Sequence, residues 1–175
     1  MSFTGESPII RVGAPSDGAA FIALVRALAI FERLPGPDDA AAARLLDHAF
    51  GPRPRFELRV VELAGELVAY AVFFETYSTF LARPSLFLED LFVQEAARGR
   101  GIGKALLVHL AGLAVARGCG RFEWTVLDWN ENAGSFYRGL GARILTEWKI
   151  CRLDGDALAA LGRQGEGAPL PGGSG

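Results

Sequence analysis

Three glycines alternate with charged and apolar residues in Arg98-Gly99-Arg100-Gly101-Ile102-Gly103-Lys104. Glycine at these positions removes the Cβ atoms that would hold a ligand off the backbone. The amphipathic segment Ala105–Arg117 follows. Backbone N–H groups at the start of that helix converge on one spot, where the helix dipole favours an anion. Strand, glycine loop and helix in that order make a pyrophosphate cradle. The strand just ahead, Leu88-Glu89-Asp90-Leu91-Phe92-Val93, carries two adjacent carboxylates among bulky apolar residues. Carboxylates there are unusual for a core strand. They suit the handling of a proton or the holding of a cation, and a solvated strand end fits them as well. Strand alternation puts Glu89, Leu91 and Val93 on one face and Asp90 and Phe92 on the other.

The spacing of the loop rejects two familiar nucleotide sites. A dinucleotide fingerprint, G-x-G-x-x-G, begun at Gly99 would place its last glycine at Lys104, and begun at Gly101 would place it at Leu106. A Walker A loop ending at Gly103-Lys104 needs glycine at position 98 and Ser or Thr at 105, where the chain has Arg98 and Ala105. The pattern that fits is Arg-x-x-Gly-x-Gly, read from Arg98 to Gly103.

Composition narrows the remaining classes. The chain has 175 residues, half of them hydrophobic and 22% charged, with a net charge of −2. One domain with a sizeable core is the natural expectation. The charge totals suggest no nucleic-acid patch, and no apolar run approaches the ~20 residues of a membrane span. Met1–Ser7 lacks the pattern of a signal peptide. Cys119 and Cys151 stand far apart and read as reduced thiols of a cytoplasmic protein. His48 and His109 have no partners at ligand spacing, so no metal site is expected.

Elements that position the loop can be read along the chain. Ile9–Val12 is a short strand, and Ser16-Asp17 caps a helix with Phe21, Ile22, Leu24, Val25, Leu28 and Phe31 on its apolar face. Pro35-Gly36-Pro37 breaks that helix, and a second runs from Asp38 or Asp39 to about Phe50. Phe56–Leu63 and Glu66–Thr76 form a hairpin across Ala64-Gly65. Leu86–Val93 is the strand before the loop, and the helix Gly103–Arg117 stops at Gly118. Arg121–Leu127 reads as a strand, Asn132–Leu140 as a helix, Ala142–Arg152 as a last strand and Asp154–Leu161 as a further turn of helix. Gly162–Gly175 is rich in Gly and Pro and expected to be disordered. The sum is an α/β domain around a mixed sheet of about six or seven strands flanked by helices, spanning residues 1–154, with residues 155–175 as a short helix and tail.

The order strand, Arg-x-x-Gly-x-Gly, helix, strand is followed by Asn130-Glu131-Asn132-Ala133-Gly134-Ser135-Phe136-Tyr137 and Gly141-Ala142. This arrangement resembles the GNAT acyltransferase superfamily over roughly residues 8–152. Within it, Leu88–Val93, Trp129-Asn130-Glu131 and Phe136-Tyr137-Arg138 are similar to the spermidine/spermine and thialysine acetyltransferase branch. Phe50-Gly51, Tyr70-Ala71, Thr76-Tyr77 and Leu28–Glu32 recur at similar places in that branch. The chain departs from it in having Ile30-Phe31 where a Lys-Tyr pair is usual, and beyond Asp154.

The resemblance implies a GNAT fold and direct transfer of an acetyl group from acetyl-CoA to a small primary amine, such as a polyamine, diamine or lysine-like amino acid, without a metal. It implies Tyr137 as general acid beside the coenzyme A sulfur, and Glu89 as the group that takes the amine proton, directly or through water. Leu91, Phe92 and Val93 would meet the pantetheine arm, with the Val93 N–H facing the oxyanion. Arg98, Gly99, Arg100, Gly101, Ile102, Gly103 and Lys104 would wrap the pyrophosphate. Asn130, Ser135 and Phe136 would complete the cofactor site, Asn130 serving as a pantetheine contact, a helix cap, or both. Glu32, Tyr77, Asp90 and Trp129 would hold the acceptor, through carboxylates and cation–π contacts. The resemblance also implies a homodimer. A protein or peptide N-acetyltransferase and a catalytically silent acetyl-CoA-binding module remain open as other readings.

Overall fold

The computed structural model describes residues 6–165. Two compact units divide the described residues, 6–125 and 126–165. The first unit is built on a five-stranded sheet: β1 (Ile9–Val12), β2 (Glu57–Leu63), β3 (Glu66–Ser78), β4 (Arg83–Val93) and β5 (Arg121–Trp124), side by side in that order. The first four strands are antiparallel to their neighbours and β5 runs parallel to β4, so the sheet is mixed. The β2–β3 hairpin turns on Ala64 and Gly65, both at positive φ, the geometry whose twist matches that of the flanking strands.

Helices α1 (Gly18–Glu32) and α2 (Asp39–Phe50) precede β2, and α3 (Ile102–Ala116) connects β4 to β5. Phe21, Ile22 and Leu24 of α1 pack with Leu58, Val60, Tyr70, Val72 and Phe92 into one buried cluster. Leu106, Leu107 and Leu110 of α3 are buried, and this helix contacts β3, β4 and β5. Arg117, just past α3, pairs with Glu57 on β2 and Glu75 on β3, which fixes that end of the helix to two strands. No described helix is long and apolar enough to cross a membrane.

Three expectations are corrected. Asp17 does not cap α1 with its side chain; its Oδ2 accepts the Ala14 N–H (2.8 Å), and both its oxygens accept from Arg11 (2.6 and 2.9 Å). The carboxylate therefore locks β1 to the turn ahead of α1. The strand expected over Ala142–Arg152 is absent, which leaves five strands rather than six or seven. Alternating residue types define two faces, but a strand also needs a neighbour for its backbone groups, and this segment has none among the described residues. Finally, α5 (Gly155–Gln164) carries helix into the start of the Gly/Pro-rich tail. The rest of that tail, from residue 166, and Met1–Gly5 of the leader reading lie outside the described residues.

Asp17 is almost fully buried, and Arg11 and the Ala14 N–H hold its carboxyl below the usual carboxylate range. Its contribution to stability is present above its unfolded pKa of about 3.9 and is lost as pH falls through the folded value. Asp17→Ala leaves Arg11 with Glu62 alone and strands the Ala14 N–H, and urea unfolding at pH 7 should show a loss of about 1–2 kcal/mol. That deficit should shrink as the pH is lowered towards 3.

Candidate active site

The site is organised by one extra residue in β4. The β3–β4 register pairs Val72 with Asp90 and Phe73 with Leu88, so Glu89 has no opposite number. This β-bulge breaks the alternation of faces. Glu89 was expected on the face opposite Asp90; instead both line one cleft of about 450 Å3. Phe21, Val25, Leu45, Phe56, Val72 and Phe74 form its apolar walls, and Arg55 stands at its lining.

Two carboxylates and one cation, Arg55, line this cleft, so its charge is mainly acidic. Burial and the charges of Glu89 and Glu32 push the Asp90 carboxyl up to about 6. Glu32, at the end of α1, is near enough for its charge to act on Asp90. A cation entering here relieves repulsion among three acidic groups, which a neutral ligand cannot do. Tyr77 is not brought there. It is 63% exposed and lies five residues along β3 from Val72, the partner of Asp90, a distance of about 16 Å at strand spacing.

The second half of β4 has an open edge. The parallel ladder to β5 ends at Leu88 opposite Trp124. Gln94 donates its N–H to Val68 O on β3 (2.8 Å). Alternate residues of an antiparallel strand bond the same neighbour, so the N–H and C=O of Val93 face away from β3. There Val93 O accepts from Arg98 Nε (3.0 Å).

The glycine loop sits on this edge. Gly99 and Gly101 have φ of +77° and +76°, and a Cβ at either would meet no other atom within 4 Å, so the backbone borders open space. Gly103 packs near Leu91 and Val93. Gly101 caps α3, whose first-turn N–H groups have no intrahelical partners. These features fit a diphosphate-bearing chain laid along β4 with its anion at the α3 terminus. The Arg98 guanidinium lies over the rings of Phe31 (5.2 Å) and Phe92 (5.7 Å). Arg100 and Lys104 are exposed on the loop, and Ile102 is buried beneath it.

The second unit holds the remaining predicted residues. Asn130 Oδ1 accepts the Ala133 N–H (3.2 Å) and caps α4 (Glu131–Gly139). Ser135 Oγ accepts from Arg138 (3.3 Å), and the Phe136 and Tyr137 rings stand 5.5 Å apart. Burial pushes the Tyr137 hydroxyl above its ordinary value, which keeps it protonated at neutral pH, the state a general acid requires. Trp129 is 54% exposed. Among the described residues no cluster of His, Cys, Asp and Glu could hold a metal ion.

Sequence reasoning had not assigned Tyr70 or Arg55 to the site. The signal for Tyr70 was present: it is the one hydroxyl in the apolar run Val68-Ala69-Tyr70-Ala71-Val72-Phe73-Phe74.

Comparison with known proteins bears on the family and the fold. Residues 23–142 match the model of the acetyltransferase (GNAT) family. The chain is 34% identical to thialysine N-epsilon-acetyltransferase of Sus scrofa over 89% of its own length and 97% of that protein's. It is 46% identical to L-ornithine N5-acetyltransferase of Arabidopsis thaliana, over 54% of this chain and 42% of that protein, so it spans under half of the plant enzyme. Among solved structures, an integron cassette protein of V. cholerae superposes with a TM-score of 0.76 at 26% identity, covering 91% of this chain and 99% of the other. An aminoglycoside N-acetyltransferase in complex with CoA shares the fold, with a TM-score of 0.67 at 20% identity over 84% of this chain and 97% of that one.

The raised Asp90 carboxyl sets a stability test. Between pH 4 and 6 the folded state retains a proton that the unfolded chain has released, so ionisation of Asp90 costs stability as pH rises. Asp90→Asn should therefore unfold at higher denaturant than the parent at pH 8, by about 1–2 kcal/mol allowing for partial screening, and the two should coincide near pH 4.

Proposed function

We propose that this chain, which belongs to the GNAT acetyltransferase family, transfers an acetyl group from acetyl-CoA directly to a small primary amine of the polyamine, diamine or lysine-like class. The observation that carries this reading is the bulge at Glu89, which puts Glu89 and Asp90 on one cleft, within the reach of the Glu32 charge. That cleft adjoins the strand that feeds the glycine loop. Two relatives named for thialysine and ornithine acetylation support an acceptor with a flexible aminoalkyl arm.

Bound acetyl-CoA supplies an acyl thioester, which the amine lone pair attacks as the carbon–sulfur bond breaks. The chain's own groups divide the remaining work. Asp90 and Glu32 hold the ammonium end of the acceptor. Glu89 takes the proton from the attacking nitrogen, directly or through a water. The outward Val93 N–H faces the negative charge that develops on the carbonyl oxygen, which a preorganised donor stabilises strongly. Tyr137 gives its proton to the leaving sulfur. Gly99, Gly101 and the first turn of α3 hold the diphosphate by backbone N–H groups, and Asn130 and Ser135 contact the pantetheine arm.

A CoA-release assay across diamines, polyamines, ornithine, lysine-like amino acids and peptides tests the reading. Turnover is expected with the small diamines or aminoalkyl amino acids. Turnover of peptides alone, or acetyl-CoA binding without release on any amine, would overturn it. Tyr137→Phe should lower kcat about 100-fold, the usual contribution of a positioned acid, and leave KM for acetyl-CoA within about twofold of the parent. Gly101→Val places a branched side chain at positive φ in the cradle and should raise KM for acetyl-CoA by about tenfold or more, a loss of some 1.4 kcal/mol of binding.

A further inference from the structure

Tyr70 is wholly buried, and its hydroxyl oxygen makes no hydrogen bond. Its ring packs edge-on against Phe21 at 5.2 Å and lies 6.4 Å from Phe92. Phenylalanine would fill the same space, and a buried hydroxyl without a partner costs about 1–3 kcal/mol. The packing therefore accounts for the ring and leaves the oxygen unexplained.

The oxygen lies against the acceptor carboxylates. Tyr70 is paired with Phe92 and Val72 with Asp90. Tyr70 and Asp90 are thus diagonal neighbours on one face, within reach of a long side chain. Burial first, then the charges of Asp90 and Glu32, raise the pKa of this hydroxyl, and the Asp90 carboxyl is near enough to act on it as a weak hydrogen-bonding partner that falls short of full hydrogen-bond geometry. Three groups act on Asp90: Glu89 from β4 itself and Glu32 from α1, which oppose its ionisation, and Tyr70 from β3, which favours it. Arg55, from the segment before β2, is the one cation among the residues lining the cleft. Tyr70 offers a neutral donor from the buried core.

We propose that Tyr70 is a positioning residue of the acceptor site: when an ammonium group binds, its buried O–H donates to the Asp90 carboxylate and holds it, ionised, against the cation. This rests on the reading of the cleft as an amine site. It explains why a hydroxyl without a well-formed hydrogen bond is kept beside the cleft: its weak interaction with Asp90 becomes a full hydrogen bond in the complex. A donor to the carboxylate also stabilises the anion over the acid, so the effect is largest where Asp90 is partly protonated.

Tyr70→Phe tests this with 1,3-diaminopropane as the probe. Calorimetric binding at pH 6.5 should weaken about tenfold, and less at pH 8.5. In the assay with this diamine, KM should rise and the acidic limb of kcat/KM should move to higher pH. Saturated kcat at pH 8.5 and KM for acetyl-CoA should stay within about twofold of the parent. The melting temperature should equal or exceed that of the parent, because the variant removes an unpaired polar atom; a merely structural hydroxyl would lower it. In an Asp90→Asn background Tyr70→Phe should have no further effect on diamine binding. Equal diamine affinity in parent and variant, or an undiminished effect in the Asp90→Asn background, overturns the role of Tyr70 and leaves the proposed function standing. Discrimination in binding without acetylation of any amine overturns the function and leaves Tyr70 in place. A parent chain that does not bind the diamine overturns both.

Discussion

Glu89 has no partner across the β3–β4 ladder, and most of the site follows from that mismatch. In a regular strand two adjacent residues face opposite sides, so a carboxylate pair is split between two environments. One inserted residue puts both on the same side and turns the strand at that point. It also separates two regimes along β4. Before the bulge the strand is paired on both edges; beyond it, β5 no longer follows. The open edge that results is where Val93 presents its outward backbone groups and where the glycine loop begins.

The acidic cleft beside β4 works against the fold that carries it. Asp90 is held among Glu32, Glu89 and apolar walls, so it ionises reluctantly. Folding must supply that unfavourable charge, because a cation is attracted only to carboxylates that lack partners. Elsewhere acidic groups are neutralised in the ordinary way: Glu57 and Glu75 by Arg117, Asp17 by Arg11. The contrast marks the cleft without reference to any relative. Stability is set aside where chemistry is needed and recovered in ion pairs away from it.

The legible parts of the sequence were those with local causes. The β2–β3 turn at Ala64-Gly65, the Asp38 cap of α2, the loop from Arg98 to Lys104 and the Asn130 cap of α4 all follow from residues within a few positions of one another. They stand where residue types alone place them, within a residue or two. The features that escaped depend on distant partners. The bulge at Glu89 exists only relative to β3. The alternation over Ala142–Arg152 describes faces but no neighbouring strand. Asp17 resembles a helix cap until Arg11, on β1, claims its oxygens. Tyr70 reads as an ordinary core aromatic until its oxygen is seen to have no bond.

The interruption of the β4–β5 ladder gives one strand two different clocks. Amides in Ser85–Leu88 lie where β4 is laddered on both edges, and releasing those held by both neighbours requires the sheet to open. Outward amides beyond Glu89 have no strand on that edge and exchange their hydrogens through small local fluctuations. The end of β4 that leads into the glycine loop should therefore exchange its outward amides faster than the other end, a few residues away, which is laddered on both edges.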